Sequence, residues 1–86
     1  MNLLRRLFAQ VVFTCSHCGA RQRIPLRRVH VFERFHHLER AEPILIACPD
    51  CSAGLQMPSP YRTHTGIEVR VDPQHPPENA FIHDLY

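Results

Sequence analysis

Two Cys-x-x-Cys pairs, an internal repeat that carries them, and a chain too short for a large interior predict a small α+β domain stabilised by a bound metal. The expected architecture is two β-hairpins, each tipped by one cysteine pair, with a helix between the pairs and a short helix at the N-terminus. Cys15 and Cys18 form the first pair, Cys48 and Cys51 the second. Two intervening residues let both thiols of a pair point at one centre from a single tight turn. Two such turns supply the four sulfurs of a tetrahedral structural site. At 86 residues a chain buries only about 60–65% of its unfolded surface. A structural zinc contributes roughly 10–16 kcal/mol in small domains, at least as much as the about 5–15 kcal/mol net stability of a typical domain. Folding is therefore expected to depend on metal.

Structural disulfides and a thiol redox motif are the competing uses of four cysteines. Disulfides require an oxidising compartment. Arg5 and Arg6 interrupt the apolar run of Leu3, Leu4, Leu7 and Phe8, so the N-terminus does not read as a signal peptide. No apolar stretch approaches the about 20 residues of a membrane span. The expected setting is cytoplasmic and reducing.

Residues 2–10 read as the short N-terminal helix, because Leu3, Leu4, Leu7 and Phe8 follow an i, i+3, i+4 pattern and Asn2 suits an N-cap. That face either covers the core or docks on a partner. The repeat follows. Shifted by 33 residues, Phe13–Pro25 lies over Ile46–Pro58, with four of 13 positions identical and an apolar lead-in matched on both sides. Each copy reads as strand, cysteine turn, return strand and proline stop. Two such hairpins facing one metal have the plan of a zinc ribbon. Gly19, directly after the first pair, suits a turn that needs positive φ. Ser52 stands at that place in the second copy, where a left-handed conformation costs about 1–2 kcal/mol.

Between the pairs, Pro25 and Pro43 bound a segment in which Val31, Phe35 and Leu38 share one helical face and Arg27, Arg34, His30 and His37 another. A helix over about 29–41 is expected, with a strand at Val29–Val31 as the alternative. Ile67, Val69 and Val71 alternate with Glu68 and Arg70 as a half-buried strand after a Thr65-Gly66 turn. Residues 1–72 are taken as the domain, and 73–86 as a proline-rich linker with an apolar tail. Phe81, Ile82, Leu85 and Tyr86 either fold back or dock on a partner.

All ten basic residues are arginine. Residues 1–40 carry a net +6 and residues 41–86 a net −4. The two halves either attract each other or present separate faces. Arg21, Arg23, Arg27 and Arg28 follow the first cysteine pair closely, and guanidinium groups suit phosphate. These four are the candidate nucleic-acid contacts. Four thiolates leave no open coordination position, and no catalytic set or phosphate loop is evident. Neither an enzyme nor a small-molecule substrate is expected. His17 is expected to be exposed rather than a ligand.

At Cys15-x-x-Cys18-Gly19 and Cys48-Pro49-x-Cys51 the chain resembles zinc ribbons and, more closely, rubredoxins. The 29 residues between Cys18 and Cys48 also match the rubredoxin spacing. The resemblance covers the two cysteine turns only. It implies one metal held by all four cysteines in a rubredoxin-like arrangement, and iron there would make the chain a one-electron carrier. Rubredoxins carry an acidic, turn-rich loop and core aromatics between the turns. This chain has a basic segment there and no tryptophan. Many proteins with rubredoxin-like cysteine turns hold zinc, so the resemblance favours zinc over iron. The second turn with its lead-in, ILIACPDC, also resembles the short zinc-finger translational regulators of Mu-like phages, which bind RNA. The leading expectation is a non-catalytic zinc adaptor in a nucleic-acid-handling assembly. The alternative is a structural subunit of a larger protein complex, docking through Leu3, Leu4, Leu7, Phe8, Phe81, Ile82, Leu85 and Tyr86.

Overall fold

The computed structural model describes residues 9–83 apart from 73, 76 and 78. The expected N-terminal helix, with Leu3, Leu4, Leu7 and Phe8, lies outside these residues, as do Leu85 and Tyr86. Its expected end is corrected, because Gln10 already begins the first strand.

The described chain is a small α+β domain, mostly strands with one helix. Strands β1 (Gln10–Cys15) and β2 (Arg21–Pro25) form the first hairpin. Strands β3 (Ile44–Ala47) and β4 (Leu55–Pro58) form the second. The hairpins are joined edge to edge, because β1 also pairs antiparallel with β4, Thr14 opposite Met57 and Cys15 opposite Gln56. Strand β7 (Phe81–His83) pairs parallel with β3, Ile44 opposite Phe81. The five-stranded order is β2-β1-β4-β3-β7, and a separate ribbon pairs β5 (Tyr61–Arg62) with β6 (Glu68–Val69). This joining brings both cysteine turns to one end of a single sheet.

Helix α1 spans Leu26–Phe35, three residues earlier in its start and six earlier in its end than the sequence suggests. It starts directly after Pro25, where the Leu26 N–H donates to the Ala9 carbonyl at 2.8 Å. It ends because His37 turns left-handed at φ 57°. The Leu38 N–H then donates to the Glu33 carbonyl and the His37 N–H to that of Arg34, a Schellman closure. That reversal drives Leu38 into the core.

The buried face also differs from the expected one. Val29 and Glu33 are buried, while Val31 and Phe35 are exposed. Glu33 is fully enclosed; one carboxylate oxygen accepts the His64 backbone N–H at 2.8 Å and lies 3.1 Å from His64 Nδ1. A carboxylate at the centre of the inward face conceals that face from any reading of apolar periodicity.

Val11 and Phe13 of β1, Ile44 and Ile46 of β3, Val29, Leu38, Tyr61 and Val69 form the core. The expected strand around Val69 shortens to two residues, with Ile67 exposed. The turn before it forms, with Gly66 at φ 88° donating to the Thr63 carbonyl at 2.9 Å. Beyond Val71, Asp72 and His75 close a turn where an extended linker was expected. Among the described residues no helix is long and apolar enough to cross a membrane.

Candidate metal centre

The β1–β2 and β3–β4 connections carry the two cysteine turns, and the repeat is visible in their backbone. The Gly19 N–H donates to the Cys15 carbonyl at 3.1 Å, and the Ser52 N–H to the Cys48 carbonyl at 3.1 Å. Both turn residues are left-handed, Gly19 at φ 77° and Ser52 at φ 57°. Ser52 therefore adopts the glycine-like conformation at a side chain's cost. The copies differ by one residue in how they close. The Cys15 N–H reaches the Ala20 carbonyl at 2.8 Å, whereas the Cys48 N–H reaches that of Gly54 at 3.1 Å.

The four sulfurs converge. Cys15 Sγ lies 3.7 Å from Cys51 Sγ, and Cys18 Sγ lies 3.6 Å from Cys48 Sγ. All four lie within 4.8 Å of one another. Metal–thiolate bonds of about 2.3 Å in a tetrahedron place sulfurs about 3.8 Å apart. A disulfide needs about 2.0 Å, and all four cysteines are free. The cluster can hold a metal ion.

Cys15 and Cys48 are buried, Cys51 is half-buried and Cys18 is exposed. The His17 and Cys18 backbone N–H groups donate to Cys15 Sγ at 3.3 and 3.4 Å. Cys18's donation, helped by that of His17 and opposed by burial, holds the Cys15 thiol down at about 6. For Cys18, the Ala20 N–H pulls downward. Desolvation and the three neighbouring sulfurs outweigh it and push that thiol up to about 12. Without a cation the four sulfurs cannot all be thiolates near neutrality. A divalent ion supplies the missing positive charge, so the donor set fits a metal.

Two supporting positions escaped the sequence reading. A Cβ on Gly54 would lie 2.6 Å from Cys15 Sγ and 2.7 Å from His17 Cβ. Only glycine lets the second turn, just before β4, approach the first turn this closely. The signal was present, because the repeat sets Gly54 over Arg21, where no shared turn chemistry explains a glycine. The second position is Gln56, buried on β4, whose Nε2 donates to Cys48 Sγ at 3.8 Å. Its own carbonyl oxygen accepts from Gln22 Nε2. Such outer partners orient thiolate ligands.

The other expected site residues separate into groups. Arg21 and Arg23 are exposed on edge strand β2, opposite Thr14 and Val12. They therefore occupy the sheet face turned away from α1. Arg27 and Arg28 are exposed in the first turn of α1, over the other face. The structure thus holds two arginine pairs on either side of the β2 edge rather than one patch. Phe81 is half-buried against the core, while Ile82 is 58% exposed. His17 is exposed.

The chain matches no protein-family model, and comparison with curated proteins and with solved structures gave no match. What the chain does must therefore be read from this centre and the surfaces around it.

Proposed function

We propose that the chain is a zinc-clamped, non-catalytic adaptor that works in a nucleic-acid-handling assembly. Four thiolates close the coordination sphere and leave no position for water or substrate, so the metal's role is to hold the two hairpins together. One observation carries the nucleic-acid reading. Among the described residues, Arg21, Arg23, Arg27 and Arg28 are all exposed and none has a carboxylate partner. The ion pairs found are His64–Glu33, Arg70–Glu68 and His75–Asp72. The described carboxylates of the acidic C-terminal half do not account for the four guanidinium groups, whereas phosphate suits them. A strand crossing the β2 edge meets both pairs.

Binding to an oligonucleotide, followed by fluorescence anisotropy, should weaken linearly on a log–log salt plot by about 0.7–0.9 per phosphate contacted. Arg21→Gln together with Arg23→Gln should flatten the slope. No detectable binding at low salt contradicts the reading.

A second reading, a structural subunit of a larger protein complex, draws on β7. This strand lies at the sheet edge, and Ile82 is exposed on it. Ile82→Ser should then abolish co-purification with the partner while leaving metal content intact. Iron in place of zinc would make an electron carrier. Colourless protein with one equivalent of zinc supports the zinc assignment, and red protein with one equivalent of iron overturns it.

A further inference from the structure

Five aromatic rings far apart in sequence meet where the end of α1 faces β7. The Phe32 ring is central, with centroids 4.4 Å from His36, 4.5 Å from His83 and 5.5 Å from Phe81. His36 lies 5.0 Å from Phe35 in an edge-on arrangement. Phe32, His36, Phe81 and His83 are half-buried and pack on one another, mostly tilted or edge-on. Phe35 ends the series 77% exposed, with Val31 one turn earlier 62% exposed. Arg28, Val31, Phe32 and Phe35 line a groove of about 310 Å³. Arg27, Arg28 and Arg34 are exposed on the same helix. Among the described residues they too have no carboxylate partner.

These surroundings define the occupant. It must lay a flat apolar face on Phe35 and bring negative charge to the guanidinium groups. An acidic protein segment supplies charge, but the apolar part of this surface is essentially two side chains. That is far short of the about 800 Å² per partner of a specific protein interface. A nucleobase with its phosphate supplies both features in one unit. In a duplex the base faces are stacked on each other, so the strand must be unpaired. We propose that the outward face of α1 around Phe35 is a base-stacking platform for single-stranded nucleic acid, with Arg28 and Arg34 held near the adjoining phosphates. This rests on the nucleic-acid reading above and narrows it to unpaired strands.

The chain has no tryptophan, so Phe35→Trp provides a sole indole at the platform. Oligothymidine and oligouridine strands should quench its emission, and a mixed-sequence duplex should not. Phe35→Ala, at an exposed position, should keep the wild-type melting temperature and salt slope. It should bind the single strands about 5- to 150-fold more weakly, the equivalent of one stacked base. Phe35→Trp should restore that affinity. Wild-type single-strand affinity in Phe35→Ala, equal quenching by duplex, or quenching by an acidic peptide but not by oligonucleotides overturns the platform. If Phe35→Ala is silent while Arg21→Gln with Arg23→Gln still flattens the slope, the platform alone fails. If the wild type binds no strand at low salt, both readings fail.

Discussion

Gly54→Ala adds one methyl group where the second cysteine turn, just before β4, passes the first. Its Cβ would fall 2.6 Å from Cys15 Sγ and 2.7 Å from His17 Cβ. Unstrained carbon contacts begin at about 3.5 Å, so sulfur, turn or strand must retreat by about 1 Å. None of them is free to do so. Cys15 is buried, its sulfur accepts two backbone N–H groups, and its own N–H is bonded to the Ala20 carbonyl. Metal–ligand distances tolerate about 0.2 Å, so a 1 Å shift displaces a ligand. Loss of an outer partner typically costs 10–100-fold in metal affinity, and a displaced ligand should cost at least about 100-fold. Gly19→Ala is the control. It meets no atom within 4 Å and is strained only by φ 77°. That is worth about 1–2 kcal/mol, or about 5- to 30-fold. Competition against a chromogenic chelator in reducing buffer measures both variants. Near-wild-type affinity in Gly54→Ala, or a smaller loss than in Gly19→Ala, refutes the packing argument.

Further outcomes follow from individual residues of the metal-loaded protein. Ser52→Gly relieves the left-handed strain at φ 57°, which glycine's greater freedom in the unfolded chain partly offsets, and should raise stability by up to about 1 kcal/mol in denaturant titration; a loss of stability contradicts that reading of the turn. Glu33→Ala leaves the His64 backbone N–H without its acceptor and should cost about 1–3 kcal/mol, while Glu33→Gln, which keeps an acceptor oxygen, should cost less. The Tyr61 hydroxyl is buried without a hydrogen-bond partner, so Tyr61→Phe should be neutral or stabilising. The Tyr61 phenol is pushed up to about 12, chiefly by burial, with the Glu33 charge adding to the rise. The unfolded phenol ionises first, near 10. The Tyr61 contribution is therefore intact below pH 10 and declines as pH rises from 10 toward 12. In a Tyr86→Phe background, ultraviolet titration should show the remaining phenol ionising well above 10, and ionisation at 10 would refute its burial.

Features governed by local chemistry were legible in the sequence. Cys-x-x-Cys spacing, a turn residue that tolerates positive φ and an apolar lead-in are short-range signals. They located both hairpins, the convergence of the four thiols and the equivalence of Gly19 and Ser52. Long-range features were not legible. Leu38 follows the helical period of Val31 and Phe35, yet a left-handed His37 ends α1 and turns Leu38 inward alone. Glu33 hid the buried face because its partner, His64, is 31 residues away. Arg21 and Arg23, two residues apart on β2, share a strand face, but the chain's return over the sheet puts Arg27 and Arg28 on the opposite side. The ring cluster needs residues 32–36 beside 81–83, a proximity set by the parallel pairing of β3 with β7 that no local pattern announces.

The central claim is that an ion held by Cys15, Cys18, Cys48 and Cys51 takes the place of the interior that so short a chain lacks. Far-ultraviolet circular dichroism during zinc removal by chelator in reducing buffer tests it most directly. Ordered β-structure should be lost cooperatively and recover fully on return of one equivalent of zinc. A spectrum and thermal transition unchanged in metal-free, fully reduced protein would contradict it.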